Sequence, residues 1–219
     1  FHSAYFALDV TVPDSPSLLW EFTHPALAFT TSYPAIVRVE EDKGVDQPED
    51  DRWFVLFGSG PTDYQGMSSQ SASLFVVDLK TGETTILAQD PSYNAVDGIR
   101  WSQWGTVVFA EETAGGRFLE IELNDDLVTA KAIFDRPAVG RLAHEGIDFD
   151  AEGNVYIVDE HRGRSVGCDA VVPCGGGVYK FVADTYGDLS AGSLYVLKVT
   201  GPDGTGQGEW VGPIDAANA

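Results

Sequence analysis

The chain has 219 residues and carries 34 Asp and Glu against 13 Lys and Arg, which gives a formal net charge of −21. A field this negative repels nucleic acid and anionic membranes, so neither is expected as a partner. The hydrophobic fraction of 43% is sufficient for a folded core, and no apolar run approaches the length of a membrane span. The charge fits either a solvated secreted surface or the binding of divalent cations.

Short β-rich runs follow one another along the chain, and helix signals are nearly absent. Most runs are bounded by Gly, Pro, Asn, Asp or Ser, which is the pattern of strands joined by turns. In chain order the runs are AYFALDV, SLLWEF, PAIVRV, WFVLFG, SLFVVDL, TTILA, GTVVFAEE, RFLEIEL, TAKAIF, GIDFD, NVYIVDE, GVYKFV and SLYVLKV. Many are apolar on both faces, which predicts strands covered on both sides by neighbouring sheets, as in stacked propeller blades.

The rhythm of strand and turn predicts an all-β fold, a β-propeller. At about 40 residues per blade the chain supplies roughly three to four blades, so the propeller is expected to be incomplete. We treat residues 1–219 as one propeller-like domain. The sequences KTGE, AEGN and PDGT predict tight hairpin turns in which Gly supplies a positive φ.

Two cysteines, Cys168 and Cys174, lie close together in VGCDAVVPCGGG. The chain offers no second cysteine pair and no matching histidine pair, so the spacing is not that of a zinc site. Either the two form a small disulfide or they remain free thiols. We favour the disulfide, which implies an oxidising compartment.

The first part of the chain resembles the C-terminal propeller of the PilY family of type IV pilus-tip proteins. The phrases YFALDVTVPDSPSLLWEF, TSYPAIVRV, RWFVLFGSG and SLFVVDLKTGE carry the resemblance, over residues 4–83. It implies a non-enzymatic propeller that serves adhesion or assembly and has pilus or cell-surface protein partners.

The second part, residues 78–219, resembles the PhoX-type alkaline phosphatases. The phrases WGTVVFAEE, GRLAHEGIDFDAEGNVYIVDE, GGGVYKFV and DLSAGSLYVLKV occur in the expected order. The resemblance implies a propeller with calcium and iron at the top of its channel, where phosphomonoesters are hydrolysed. A seam between the two parts is expected near residues 73–90. Both families are exported, which implies a periplasmic, cell-surface or extracellular location.

Five acidic residues at strand ends are the candidate metal ligands: Glu111, Glu112, Glu145, Asp159 and Glu160. A strand alternates faces, so only one residue of each adjacent pair is expected to point at the channel axis. Carboxylates that converge from successive blades repel one another, and a hard cation such as Ca²⁺ relieves that repulsion. The PhoX resemblance matches Glu112 and Glu145, with Asp159 or Glu160 as a third. The alternative for each is an exposed, salt-bridged carboxylate.

Three residues are candidates for binding a phosphate: His144, Arg162 and Arg100. Arginine binds phosphate through paired hydrogen bonds. His144 fits equally well as a residue packed beside an inner strand, and Arg162 as part of a solvated loop.

Three aspartates are assigned to turns instead. Asp148 and Asp150 flank the AEGN hairpin, and Asp150 is expected to accept hydrogen bonds from turn amides. Asp97, in VDGIRW, is expected to stabilise a turn at the top of a strand.

The leading hypothesis is an exported, calcium-binding propeller of the PhoX type that hydrolyses a phosphoester or acts on another small molecule with the help of metal ions. The alternative is the non-enzymatic pilus-tip or cell-surface propeller. The phosphatase family has a cysteine near its iron pair, upstream of the WGT phrase, whereas this chain has no cysteine before Cys168. Calcium is therefore the better supported metal, and iron the weaker.

Overall fold

The computed structural model describes residues 3–39, 51–161, 175–201 and 206–216. Fifteen strands run through these ranges, with a single 3-10 turn at Pro137–Val139. The strands are β1 (Tyr5–Asp9), β2 (Ser17–Phe22), β3 (Ala35–Val39), β4 (Arg52–Gly58), β5 (Ala72–Asp78), β6 (Thr84–Asp90), β7 (Val96–Trp101), β8 (Val107–Gly116), β9 (Phe118–Leu123), β10 (Ala130–Asp135), β11 (Leu142–Phe149), β12 (Val155–Asp159), β13 (Val178–Thr185), β14 (Asp188–Val199) and β15 (Gly208–Ile214).

The strands form up-and-down meanders of the kind found in propeller blades. Strands β3 to β6 make a four-stranded sheet in sequence order, and β7 to β10 and β11 to β14 repeat the arrangement within a nine-stranded sheet that also holds β15. Strands β1 and β2 form a separate hairpin. Closed propellers have about four to eight blades of four strands. The prediction of an all-β, incomplete propeller is therefore confirmed.

The chain divides into two compact units. Unit 1 comprises Phe1–Tyr93 with Asn124–Ala130, and unit 2 comprises Asn94–Leu123 with Lys131–Ala219. The sequence predicted one propeller-like domain with a seam near residues 73–90, and the first boundary between the units falls just after that range.

Unit 1 has its core beneath the four-stranded sheet β3–β6. Every residue from Phe54 to Phe57 in β4 and from Leu74 to Val77 in β5 is buried, so both faces of these central strands are covered. Phe57 and Phe75 lie with their ring centroids 5.7 Å apart, and Tyr5 packs on Phe57 at 4.2 Å. These strands read as unbroken apolar runs because neither face meets solvent.

Unit 2 has a second core, built from the inner strands of the nine-stranded sheet. Phe118, Ile157 and Phe181 are fully buried in it. Trp104 packs against its edge, with its ring 5.1 Å from Phe149 and 5.8 Å from Tyr186. The two cores match the two compact units.

The predicted hairpin turns form as expected where the structure describes them. In KTGE, Gly82 has a φ of 74°, and the side chain of Asp78 accepts the amides of Lys80 and Thr81, each at 2.9 Å. In AEGN, Gly153 has a φ of 80°. The third turn, PDGT, lies outside the described residues.

Two of the described strands were not predicted from the sequence. Strand β7 contains an Asp-Gly pair, and its pairing with β8 shifts register between Asp97 and Arg100. Strand β15 carries two glycines and Pro213. Glycine and proline weaken the strand pattern and are tolerated at bulges and edges, which is where both segments lie.

No helix in the described part of the chain has the length and apolar character needed to cross a membrane.

Candidate functional site

Four carboxylates from strands of unit 2 that neighbour one another in the sheet come together, and we call them the carboxylate cluster: Asp97, Glu112, Glu145 and Glu160. Asp97, Glu112 and Glu145 each offer one oxygen within 4.8 Å of the others. Glu160, just beyond the end of β12, shares a side-chain hydrogen bond with Glu112. Oxygen ligands of this type suit Ca²⁺, which takes about six to eight of them.

Backbone pairing places these side chains side by side. The amide of Glu112 donates to the carbonyl of Ala95 at 2.8 Å, Glu112 pairs with Ala143 on β11, and the amide of Glu160 donates to the carbonyl of Ala143 at 2.8 Å. Glu112 and Glu160 therefore lie in one row across the sheet, with Ala143 between them. Adjacent strands are about 4.8 Å apart, so side chains from such a row are within reach of one another.

A glycine brings Asp97 to the cluster. Gly98 has a φ of 63°, and a Cβ at this position would collide with the carbonyl oxygen of Glu145. Only glycine combines a left-handed conformation with so close a backbone approach. The irregularity in β7 at this point holds the strand against β11.

The cluster is electrostatically strained. The hydrogen bond with Glu160, burial, and the charges of Glu145, Glu160 and Asp97 together raise the pKa of Glu112 to about 7. Burial, followed by the charges of Asp97 and Glu160, raises the pKa of Glu145. Each carboxylate thus makes ionisation of its neighbours less favourable, and either a proton or a cation relieves this repulsion.

In buffer that contains a chelator of divalent cations, we expect the contribution of Glu112 to stability to decline as the pH rises. The folded-state pKa of about 7 lies above the ordinary value of 4.5, so the folded protein retains a proton that the unfolded chain has released. This stabilisation is fully present below pH 4.5 and is lost as the pH rises through about 7. Thermal unfolding temperatures of the wild type and of Glu112→Gln, compared across this window, measure the effect. Parallel profiles for the two proteins would contradict the pKa assignment.

Glu111 and Asp159 do not join the carboxylate cluster. Glu111 forms a two-point ion pair with Arg117, at 2.6 and 2.8 Å, and accepts the amide of Asn94 at 2.9 Å. Burial acts to raise the pKa of Glu111, but the bonds from Arg117 and Asn94 leave the pKa lowered. Asp159 accepts the amides of Ala143 and His161, each at 3.0 Å. Both carboxylates therefore stabilise the sheet around the cluster.

Of the three residues predicted to bind phosphate, the structure describes His144 and Arg100. His144 is completely buried, and its ring lies 5.7 Å from that of Phe118. Its neighbour Glu145 is half-buried, as expected where successive side chains alternate between faces. Arg100 is exposed and donates to the carbonyl of Ile99 at 3.1 Å. The predicted residues Arg162, Cys168 and Cys174 lie outside the described residues.

The two turn aspartates have different surroundings. Asp150 accepts the amides of Glu152 and Asn154 at 3.1 and 2.9 Å and the hydroxyl of Tyr156 at 3.0 Å. Asp148 is exposed and its carboxylate accepts the adjacent amide of Phe149 at 2.9 Å. Asp150 thus has the turn role predicted from the sequence.

Sequence reasoning missed the contribution of Asp97 to the cluster. The Asp-Gly pair was interpreted as a turn, whereas in the structure strand β7 continues through it. The available signal was the position of VDGIRW directly before the strand that carries Glu112, since consecutive strands of a blade pair with each other.

A further buried carboxylate accounts for the tryptophan and the threonine of the WGT phrase. Glu120, on β9, is 1% exposed. It accepts the indole N–H of Trp104 at 2.9 Å, the hydroxyl of Thr106 at 2.7 Å and the guanidinium of Arg136 at 2.7 Å. The phrase therefore has a structural role here, because its tryptophan and threonine satisfy a buried charge.

Comparison with known proteins supports one of the two resemblances. The chain is 36% identical over 80 residues to the type IV pilus biogenesis factor PilY1 of Pseudomonas aeruginosa (strain UCBPP-PA14). The matched region covers 35% of this chain and 6% of that protein. No protein-family model matches the chain, and no solved structure does so. The resemblance to PhoX-type phosphatases gains no support from these comparisons.

Proposed function

We propose that this chain is a non-catalytic propeller module of an exported pilus-tip or cell-surface protein of the PilY type, which serves adhesion or assembly. The observation that carries the proposal is the identity of 36% over 80 residues with a pilus biogenesis factor. The four-stranded meanders are compatible with a propeller module of this kind. The matched region is a small part of that relative, so the role of the whole relative extends to this chain only as a proposal.

The hydrolase alternative receives less support from the site. The ring nitrogens of His144 are buried, and the guanidinium of Arg100 donates to the carbonyl of Ile99. Catalysis of phosphoester hydrolysis needs groups that stabilise the charge developing on the phosphoryl oxygens. A cluster of carboxylates alone repels such an anion.

Surface exposure and enzyme assays test this proposal. In the cells that produce the protein, we expect external protease to digest it, and we expect it to appear in the fraction sheared from the surface with the pili. We expect no turnover of p-nitrophenyl phosphate in the presence of calcium. Retention inside intact cells would contradict export, and turnover that Glu145→Gln abolishes would restore the hydrolase hypothesis.

We further propose that the carboxylate cluster binds calcium. The raised pKa values of Glu112 and Glu145 support this, because mutual repulsion is the condition that a divalent cation relieves. Calcium accepts irregular oxygen coordination, whereas Mg²⁺ requires near-octahedral geometry and retains its water. Calcium is therefore preferred over magnesium at a site whose ligands come from separate strands.

Calcium is expected to raise the thermal unfolding temperature of the wild type. A ligand present at about 100 times its dissociation constant adds about 2.7 kcal/mol of stability, which corresponds to several degrees for a chain of this length. The double variant Glu112→Gln/Glu145→Gln is expected to lose the response, whereas Glu152→Gln, an exposed change in a hairpin turn, keeps it. An equal response in all three proteins would place calcium elsewhere.

A further inference from the structure

Two loops of unit 1 enclose a small polar cavity. One loop connects β2 to β3, and the other connects β4 to β5. The cavity has a volume of about 300 Å³, which matches the lower end of the range for small-molecule pockets, about 300–1,000 Å³. The polar side chains that line it are those of Thr23, His24, Thr62 and Gln70.

Contacts between the two loops hold the cavity in shape. The amide of Phe29 donates to the carbonyl of Pro61 at 3.1 Å, and the side chain of Gln70 donates to the carbonyl of Ala26 at 2.9 Å. A Cβ at Gly60 would collide with the carbonyl of Phe29, so glycine allows the loops to approach this closely. The cavity is therefore preformed, as ligand sites usually are.

One residue in the wall of the cavity is strained. Ala28 has a φ of 51°, a left-handed conformation that is unfavourable for a residue with a Cβ. Such strain persists only where the surrounding structure enforces it, and strained residues concentrate at ligand sites. The position of Ala28 therefore agrees with a binding role for this cavity.

Polar groups in the cavity offer both a donor and an acceptor to a ligand. Nδ1 of His24 accepts the amide of Ala26 at 3.0 Å, so the neutral imidazole has its N–H at Nε2. The His24 ring packs on Phe75, with the ring centroids 5.5 Å apart. The hydroxyl of Thr23 donates to the carbonyl of Ser3 at 3.0 Å and keeps its oxygen as an acceptor.

The cavity is neutral although the chain is strongly acidic. Among the described residues that line it, none has a carboxylate, an ammonium or a guanidinium group. The carboxylate of Asp63, next to Thr62, accepts the amides of Gln65 and Met67 at 3.0 and 2.9 Å. An anionic ligand gains no cationic partner from this lining and is repelled by the net charge of −21. The lining therefore favours an uncharged, polar ligand.

An aromatic pair stands beside the cavity. Phe29 lines it, and the ring of Tyr64 packs on Phe29 with the centroids 5.0 Å apart. Tyr64 is 89% exposed, so most of its ring is open to solvent. Tyrosine combines a large apolar surface with a polar hydroxyl and loses little conformational entropy on contact with a ligand. The pair suits a ligand that has an apolar face as well as polar groups.

We propose that this cavity binds a neutral sugar unit of a glycan. Sugar hydroxyls donate and accept hydrogen bonds, which matches the imidazole of His24 and the hydroxyl of Thr23. The C–H face of a sugar ring matches the apolar surface of Tyr64 and Phe29. The inference goes beyond the proposed function and depends on neither the carboxylate cluster nor the assignment to a pilus.

Saturation-transfer NMR on the full chain tests this proposal with methyl glycosides, in which the C1 linkage is closed as in a glycan. The neutral probes are the methyl glycosides of glucose, galactose, mannose and N-acetylglucosamine, and at least one is expected to bind. The methyl glycosides of glucuronic and galacturonic acid are the charged controls, and we expect no signal from them. Absence of binding by all four neutral probes overturns the proposal, as does an equal signal from the charged controls.

Matched variants assign the binding to the cavity. Tyr64→Ala is expected to weaken sugar binding at least about tenfold, whereas Tyr33→Ala, which changes a tyrosine that is 91% exposed and does not line the cavity, keeps it. His24→Phe removes the ring nitrogens but retains an aromatic ring beside Phe75, and is also expected to weaken binding.

Thermal unfolding of each variant verifies that it is folded. Binding that is equal in the wild type, Tyr64→Ala and His24→Phe places the sugar elsewhere and overturns the proposal. A blocked hexaproline peptide that binds the wild type in place of every sugar also overturns it, because the cavity then serves as a peptide site.

Discussion

Replacing Glu120 with alanine is expected to lower the free energy of unfolding by about 3–5 kcal/mol. Glu120 accepts hydrogen bonds from Trp104, Thr106 and Arg136. The side chain of Arg136 is only 15% exposed. The substitution leaves that cation and two neutral donors without their common acceptor. An unpaired buried charge costs more than the original pair contributes to stability. Chemical denaturation monitored by tryptophan fluorescence measures the change.

Glu122 provides the control on the same strand. It pairs with Lys131 at 3.4 Å, and the two side chains are 41% and 64% exposed. Exposed ion pairs contribute about 0–1 kcal/mol, so Glu122→Ala is expected to have little effect. If Glu120→Ala lowered the free energy of unfolding as little as Glu122→Ala, the buried hydrogen-bond network would contribute little to stability.

Acid is expected to destabilise the protein through His144. Neither ring nitrogen has a hydrogen-bond partner of good geometry, and burial lowers the pKa of the imidazole from 6.5 to about 4. The unfolded chain therefore binds a proton that the folded protein excludes. The resulting stability is fully present above pH 6.5 and is lost as the pH falls through about 4. A pKa shift of this size corresponds to about 3 kcal/mol.

The variant His144→Leu isolates this contribution. It is expected to be more stable than the wild type at neutral pH by about 1–3 kcal/mol, because it removes two unpaired polar atoms from the core. It is also expected to show a flatter acid profile. Both proteins should carry Glu112→Gln, since Glu112 acts in the opposite direction over part of the same pH range. Steep acid unfolding that persists in His144→Leu would show that other groups control it.

His144 and Trp104 show that a sequence motif does not by itself indicate a shared functional site. HEG and WGT belong to the resemblance with a phosphatase, yet His144 is buried beside Phe118 and Trp104 donates a hydrogen bond to a structural carboxylate. A motif reports that residues occur together along the chain. Whether they face a common space depends on strand parity and on which strands are neighbours.

Most of the fold follows from local sequence. Thirteen of the fifteen strands coincide with apolar runs bounded by turn residues, because a strand buried on both faces needs continuous apolar sequence. Turns such as KTGE follow from the backbone freedom of glycine at positive φ. The strands β7 and β15 were missed because glycine and proline interrupt them, and pairing with neighbours, rather than local preference, keeps them extended.

For the candidate site, less follows from the sequence and more depends on the tertiary structure. The sequence by itself determined that carboxylates end successive strands, and that only one of Glu111 and Glu112 can face a common axis, because side chains alternate along a strand. Tertiary structure decided which one. Arg117, across the hairpin between β8 and β9, pairs with Glu111 and leaves Glu112 to the cluster. The close packing of Gly98 against β11 added Asp97. Both outcomes depend on contacts between strands, which no local pattern of residues encodes.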